Sequence, residues 1–181
     1  MQKEKAPKEE LENLLEQIKQ RHTEALKTLY ELTSSEIFAF SLSIVKNYHD
    51  AEDIMHNTFI TIFKNASLYI KNTNPKAWIF TITKNIAYSK IRKDQKEYLI
   101  TDEEIDEIHK HHPSFNTEDK ILLQTLLNHL TTEERNIVIM HAISGFKHKE
   151  ISQILSIPLS TVLSKYNRSI KKLNALLKEE L

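Results

Sequence analysis

The chain is 181 residues long, enough for one large domain or two small ones with cores of their own. A single Gly and the absence of Cys exclude a Gly-rich phosphate loop, disulfides and thiolate zinc sites, and accord with a reducing compartment. Its 25 Lys or Arg and 25 Asp or Glu cancel to a formal net charge of zero, which excludes a uniformly basic nucleic-acid binder and leaves only local charged faces to consider.

The opening MQKEKAPKEE is charged throughout, so it has no secretory-signal core, and no later apolar run reaches membrane-spanning length. A cytoplasmic protein without membrane insertion is the expectation. Few stretches alternate at strand spacing, so the fold class should be all-α. From about Glu9 to Leu32, the spacing of Leu11, Leu14, Leu15, Ile18, Ala25, Leu26 and Leu29 marks amphipathic helix with a break near His22-Thr23. Thr33-Ser34-Ser35-Glu36 has the capping-box pattern. It predicts a second helix to about Lys46, apolar on several sides through Ile37, Phe38, Phe40, Leu42 and Val45. Beyond Asn47-Tyr48-His49, Asp50 is placed to cap a third helix to about Asn65, with Glu52 and Asp53 at the positive end of its dipole. Ile54, Thr58, Phe59, Ile62 and Phe63 would face inward, leaving Asp50, Glu52, Asp53, His56, Asn57 and Lys64 more exposed. By spacing alone this is an acid-capped amphipathic helix and no more.

Leu68 to Asn74 reads as a loop, with Asn74-Pro75 as the cap and first position of a fourth helix to about Lys93. Trp78, Ile79, Ile82, Ile86 and Ala87 supply its packing stripe. Lys76, Thr81, Lys84, Asn85, Tyr88, Lys90, Arg92 and Lys93 form a basic, hydrogen-bonding face of the kind that holds single-stranded nucleic acid. Trp78 taken alone is more often core than a base platform. Residues 71–96 carry seven Lys or Arg against Asp94, whereas residues 97–119 carry eight acids against Lys110. That acidic stretch, with Pro113-Ser114 near its middle, reads as a flexible linker dividing the chain into residues 1–95, 96–118 and 119–181. His109, His111 and His112 lie on it without the fixed geometry zinc requires, so no native metal site is expected.

Beyond the linker, Leu122, Leu123, Leu126, Leu127 and Leu130 resume a helical period. Thr131-Thr132-Glu133-Glu134 is a second capping box, opening a helix through Ile137, Val138, Met140 and Ala142 that ends near Gly145. Phe146 to Ile170 then reads as two short helices around a tight turn. Ile151, Ile154, Leu155 and Ile157 line one buried side, Val162, Tyr166 and Ile170 another, and Ser156-Ile157-Pro158 separates them. This is a helix-turn-helix pattern, with Ser160, Thr161, Leu163, Ser164, Lys165, Asn167 and Arg168 outward on the second helix. Between Gly145 and Lys172 six basic residues face one acid, Glu150, which suits phosphate neutralisation; an ordinary helical hairpin with a solvated basic face is the bland alternative.

With both halves placed, the chain resembles bacterial RNA polymerase sigma factors of the extracytoplasmic-function group over nearly its full length. Asp50-Ala51-Glu52-Asp53-Ile54 with Phe59, then Trp78-Ile79-Phe80 with Ile82 and Asn85 leading to Ile91-Arg92-Lys93, are similar to motifs of that family's region 2. Leu130 to Arg135, Gly145-Phe146 through Glu150-Ile151, Ile157-Pro158 and Ser160-Thr161-Val162 resemble its region 4. His56 and Asn57 depart from the Gln and acid common there, as do Leu163 and Lys165 from the frequent Lys and Arg, and Ser156 and Ser160 from common glycines.

The resemblance implies two small helical domains, core RNA polymerase and promoter DNA as partners, an anti-sigma factor as inhibitor, no cofactor and no enzyme activity. It implies polymerase binding by Asp50, Glu52, Asp53, His56 and Asn57, and −10 contacts by Asn72, Asn74, Trp78, Lys84, Asn85, Tyr88 and Arg92. It implies −35 base contacts by Ser160, Thr161, Ser164 and Lys165, with Lys147, Lys149, Arg168 and Lys171 on phosphates. Two other functions remain open to the sequence: a conventional helix-turn-helix regulator with a helical dimerisation or sensing domain, and an interaction adaptor without useful DNA affinity.

Overall fold

The computed structural model describes residues 7–97 and 128–179, and the described residues form helices and connecting turns without a strand. Helix α1 (Lys8–Lys19) buries Leu11, Leu14, Leu15 and Ile18 on one stripe. It ends at Gln20 and Arg21, the latter in the left-handed region with φ 68°, where the expected break falls. Helix α2 (Thr23–Val45) is 23 residues long and runs through the predicted capping box without interruption. Thr33 there does not cap. Its hydroxyl donates back to the Leu29 carbonyl at 2.7 Å and its side chain is buried, so strong helix formers on both sides carry the helix across. Glu36, the other end of that motif, pairs instead with Lys76. From Ile37 to Ile44 every residue of α2 is buried, as expected for a helix apolar on all sides.

Lys46 closes α2 in the left-handed region, its N–H on the Leu42 carbonyl at 2.9 Å. Helix α3 (Tyr48–Asn65) begins earlier than predicted, because its cap is Asn47, which accepts from the Asp50 N–H at 3.0 Å. Asp50 therefore lies within the first turn. Its carboxylate is drawn to Lys90 at 2.9 Å, which ties α3 to the next long helix. A single 3-10 turn (Ala66–Leu68) and a loop lead to α4 (Pro75–Glu97), where Asn74 caps by accepting from Ala77 N–H at 3.0 Å, as its place before Pro75 predicts. Helix α4 runs four residues past the expected Lys93, into the stretch assigned to the linker; the remainder of that stretch, its three histidines and the leucine run before Leu130 lie outside the described residues.

Helix α5 (Thr132–Ala142) carries the predicted capping box: Glu134 accepts from Thr131 N–H at 3.0 Å and donates its own N–H to the Thr131 hydroxyl at 3.4 Å. Gly145, at φ 71°, takes the left-handed turn that ends this segment. Helix α6 (His148–Leu155) and α7 (Leu159–Glu179) follow, separated by Ser156 at φ 59° and by Ile157-Pro158. Helix α7 continues well past Ile170, where the two short helices read from the sequence stop.

The core is continuous across both halves, running from Leu11 to Val162. Helix α2 packs against α1, α3 and α4 and also against α5, while α4 packs against α6. At the α2–α5 crossing Arg135, 1% exposed, donates from Nε to the Ser43 carbonyl at 3.1 Å, from Nη1 to the Leu130 carbonyl and from Nη2 to the Thr132 hydroxyl at 2.8 Å. Beside it the Ser43 hydroxyl donates to Asn136 Oδ1 at 2.7 Å, and Asn136 Nδ2 donates to the Tyr88 hydroxyl at 3.3 Å. Helices α2, α4 and α5 thus share one buried polar network.

Replacing Arg135 by Ala removes the side chain that satisfies two buried carbonyls and leaves a void at the crossing. Urea unfolding should show a loss of about 3 kcal/mol, and a change below about 0.5 kcal/mol would show that the network is not what fastens α5 to α2.

Candidate nucleic-acid interface

The helix-turn-helix is held open at a fixed angle by its own polar bonds. Ser152 donates to the Ile157 carbonyl at 2.6 Å while Ile157 N–H returns to the Ser152 carbonyl at 3.1 Å, and Pro158 supplies the carbonyl for Thr161 and Val162 at 3.0 and 3.1 Å. Behind the turn, His141 and His148 stack with ring centroids 4.4 Å apart, and Tyr166 meets both edge-on at 4.8 and 4.7 Å. Burial pushes the His148 pKa down, and the neighbouring His141 charge adds to the shift. Its Nε2 is buried without a hydrogen-bond partner, which accords with a neutral ring.

Of the α7 residues assigned to DNA or to its outward face, Ser160, Leu163, Ser164, Asn167, Arg168 and Lys171 are exposed, with Thr161 and Lys165 half-buried. Lys147 and Lys149 are exposed at the start of α6. These residues lie in one helix-turn-helix, as the sequence predicts. Two details could not be read from spacing. Lys165 is paired with Glu133 of α5 at 2.8 Å, and Leu159 joins Leu163 as exposed apolar surface on the first turns of α7.

The residues predicted on and around α4 divide into two groups. Asn74, Lys84 and Tyr88 face the C-terminal half: Asn74 Nδ2 donates to Glu150 at 2.7 Å, Lys84 Nζ to the Ile154 carbonyl at 2.6 Å, and the Tyr88 hydroxyl accepts from Asn136. Lys76, which the sequence placed on this face without singling out, donates to the Ser144 carbonyl at 2.8 Å and lies 5.6 Å from the Phe146 ring centre. Phe80 packs edge-on against the same ring at 4.8 Å. Lys84 meets the last turn of α6, where the helix dipole favours a cation, and burial lowers its pKa. Burial raises the Tyr88 pKa and the Glu133 charge adds to it, outweighing the Asn136 bond.

The other group is free of that contact. Asn72, Asn85 and Arg92 are exposed, Arg92 donating to the Ser89 hydroxyl at 3.0 Å, while Trp78 is half-buried with Tyr69 edge-on at 5.6 Å. No signal in the sequence distinguishes the two groups, since all lie on or beside one basic helix and only the docking of α6 separates them.

On α3, Asp53, His56 and Asn57 are exposed, Glu52 is half-buried and Asp50 is held by Lys90. Ile60, half exposed, continues the outward face from His56 and Asn57 by one helical turn, a surface apolar residue the sequence reading passed over. Among the described residues no group of His, Cys, Asp or Glu could hold a metal ion, and no helix is long and apolar enough to cross a membrane.

This arrangement has close counterparts. Residues 29–97 match the model for Sigma-70 region 2, and residues 120–173 match that for Sigma-70 region 4. The chain is 26% identical over 151 residues to the extracytoplasmic-function (ECF) RNA polymerase sigma factor SigM of Bacillus subtilis strain 168, covering 82% of this chain and 92% of that protein. It is 28% identical over 140 residues to the ECF sigma factor EcfG of Rhodopseudomonas palustris strain TIE-1, covering 77% of each. Among solved structures, the sigma factor RpoE bound to the anti-sigma factor NepR, from Bartonella quintana, superposes with a TM-score of 0.70 at 26% identity, over 84% of this chain and 96% of that one. CnrH in complex with the cytosolic domain of CnrY shares the fold at a TM-score of 0.66 and 21% identity, over 95% of this chain and 99% of that one.

Asn74→Asp keeps the oxygen that caps α4 but turns the donor aimed at Glu150 into a second carboxylate. The contact between α4 and α6 should weaken by roughly 1–3 kcal/mol with helix content intact, seen as increased distances between fluorophores on α3 and α7; unchanged distances would show that this bond does not hold the halves together. The lowered pKa of His148 gives a second expectation. The folded state disfavours protonation, so its contribution is whole above 6.5 and declines as pH falls below that value. Stability measured by urea should therefore drop between pH 7 and 5, and His148→Gln should flatten that dependence.

Proposed function

Because the chain belongs to the extracytoplasmic-function group of the sigma-70 family, we propose how its residues divide the work of a factor that binds core RNA polymerase and directs it to promoters. It is a transcription initiation factor and not an enzyme: binding energy selects and opens a promoter, and no bond is made or broken by its own side chains. The observation that carries this reading is the ordered pair of regions, 2 at residues 29–97 and 4 at residues 120–173, the second containing a formed helix-turn-helix. A conventional regulator would not need region 2 and is set aside.

In our reading residues 1–95 form the region 2 unit, 96–118 the acidic linker and 119–181 the region 4 unit. The outward face of α3, with Asp50, Glu52, Asp53, His56 and Asn57, docks on polymerase. Ser160, Thr161, Ser164 and Lys165 read the −35 duplex, with Lys147, Lys149, Arg168 and Lys171 on its phosphates. Asn72, Asn74, Trp78, Lys84, Asn85, Tyr88 and Arg92 serve the −10 strand. The bonds of Asn74, Lys84 and Tyr88 to α5 and α6 support a closed free chain, in which part of the −10 face is covered until polymerase draws the two units apart. An anti-sigma factor, the partner class seen with RpoE, would hold the factor inactive, and the cytoplasm is where core polymerase would meet it.

Core polymerase pull-down followed by promoter-dependent transcription tests the whole reading; failure to bind core would overturn it. Within it, Lys165→Ala should weaken binding to a −35 duplex roughly tenfold and relax the base preference at the position it reads, leaving core affinity intact. Asp53→Ala should do the reverse, weakening core association with duplex binding unchanged. Reversed effects would overturn both assignments.

A further inference from the structure

Helix α1 lies ahead of the matched region 2 segment, yet one of its side chains reaches the loop between the 3-10 turn and α4. Glu12 Oε1 accepts the backbone N–H of Asn72 and, at 3.1 Å, the hydroxyl of Tyr69. Tyr69 is buried at the start of the loop and packs against Trp78, while Asn72 stands near its apex in the left-handed region at φ 66°. A single carboxylate oxygen therefore fastens the start and the apex of one short loop to a helix that is itself anchored by Leu11, Leu14, Leu15 and Ile18. Within the loop the Tyr69 hydroxyl is also shared with the Thr73 carbonyl at 3.4 Å. Thr73 closes one turn onto the Ile70 carbonyl, by N–H at 3.3 Å and hydroxyl at 2.6 Å, and Leu68 and Ile70 are held out in water at 69% and 71% exposure.

We infer that Glu12 is a positioning residue for promoter recognition: by fixing Asn72 and Tyr69 it sets the shape in which Leu68, Ile70, Lys71 and Asn72 meet the −10 strand. The inference rests on the proposed role of this loop. Glu12 touches no DNA in this account, and its negative charge beside the strand is tolerated because the oxygen is occupied by two donors. The Asn72 N–H is also the main cause of its carboxyl sitting below the ordinary value of 4.5, so the group is ionised at neutral pH.

Two variants separate this from a general effect of charge. Glu12→Gln keeps an oxygen that can accept both bonds, and Glu12→Ala removes it. In holoenzyme reconstituted with core polymerase, Glu12→Ala should bind a fork-junction −10 probe roughly tenfold more weakly, with core affinity, −35 duplex binding and thermal midpoint unchanged. Glu12→Gln should stay within about twofold of the parent. Hydrogen exchange of the free chain gives an independent readout: the Asn72 amide should exchange faster in Glu12→Ala and remain protected in Glu12→Gln. Tighter probe binding by both variants would mean that Glu12 acts only by repelling phosphate, and equal probe binding by Glu12→Ala and the parent would mean that the loop holds its shape unaided; either overturns the inference. A parent holoenzyme that binds the −35 duplex but not the fork probe would instead overturn the role of the loop itself, while the exchange data would still report on the brace.

Discussion

The second half of α2 cannot face water on any side. Residues Ile37 to Ile44 are all buried, so the helix requires neighbours around its whole circumference. Helices α1, α3 and α4 supply most of that cover from the same half of the chain, and α5 supplies the rest from the other half. Beside the buried Ile137, Val138, Ile139 and Met140, α5 adds a polar pair, Arg135 and Asn136, bonded to the carbonyl and hydroxyl of Ser43. Apolar burial contributes about 1.5–3 kcal/mol per large side chain, whereas each hydrogen bond contributes about 1 kcal/mol net. Burial therefore holds both the region 2 half and its join to region 4, and the join adds a set of directional bonds.

Most of the helices were legible in the sequence because their stripes and caps are local. The Thr131–Glu134 box and the Asn74-Pro75 start form as read, since each needs only residues three apart. The same pattern at Thr33–Glu36 misleads for a tertiary reason. The Thr33 hydroxyl is buried, and donating to the Leu29 carbonyl one turn back satisfies it without ending the helix. Asp50 misleads more gently: Asn47, an equally good cap three residues earlier, takes the role, and the carboxylate is spent on Lys90.

The candidate site was legible as a set of residues and a family, and illegible as an arrangement. Composition and order identify a basic α4 and a helix-turn-helix; they say nothing of α6 lying across α4, nor of Lys165 reaching Glu133. Those pairings span dozens of residues of sequence and depend on how whole helices dock. Glu12 was invisible for the same reason. It sits on the polar side of an amphipathic helix that spacing reads only as packing, sixty positions from the amide it holds.

The closed arrangement also has a chemical logic. Toward the face of α4 the C-terminal half presents oxygens: the Glu150 carboxylate to Asn74, the Ser144 carbonyl to Lys76 and the Ile154 carbonyl to Lys84. Phosphate and base edges offer the same side chains acceptors of the same type. Exchange of one set for the other therefore leaves few polar groups unsatisfied, and a lysine moving from a neutral carbonyl to a phosphate exchanges a bond in which only the donor is ionised for one in which both partners are. Opposing that gain is the loss of the Phe80–Phe146 contact and the exposure of Arg135 and its partners, so the covered state persists until a partner with enough contact area separates the halves. In the proposed function it falls to polymerase, docking on the outward face of α3, to supply that area.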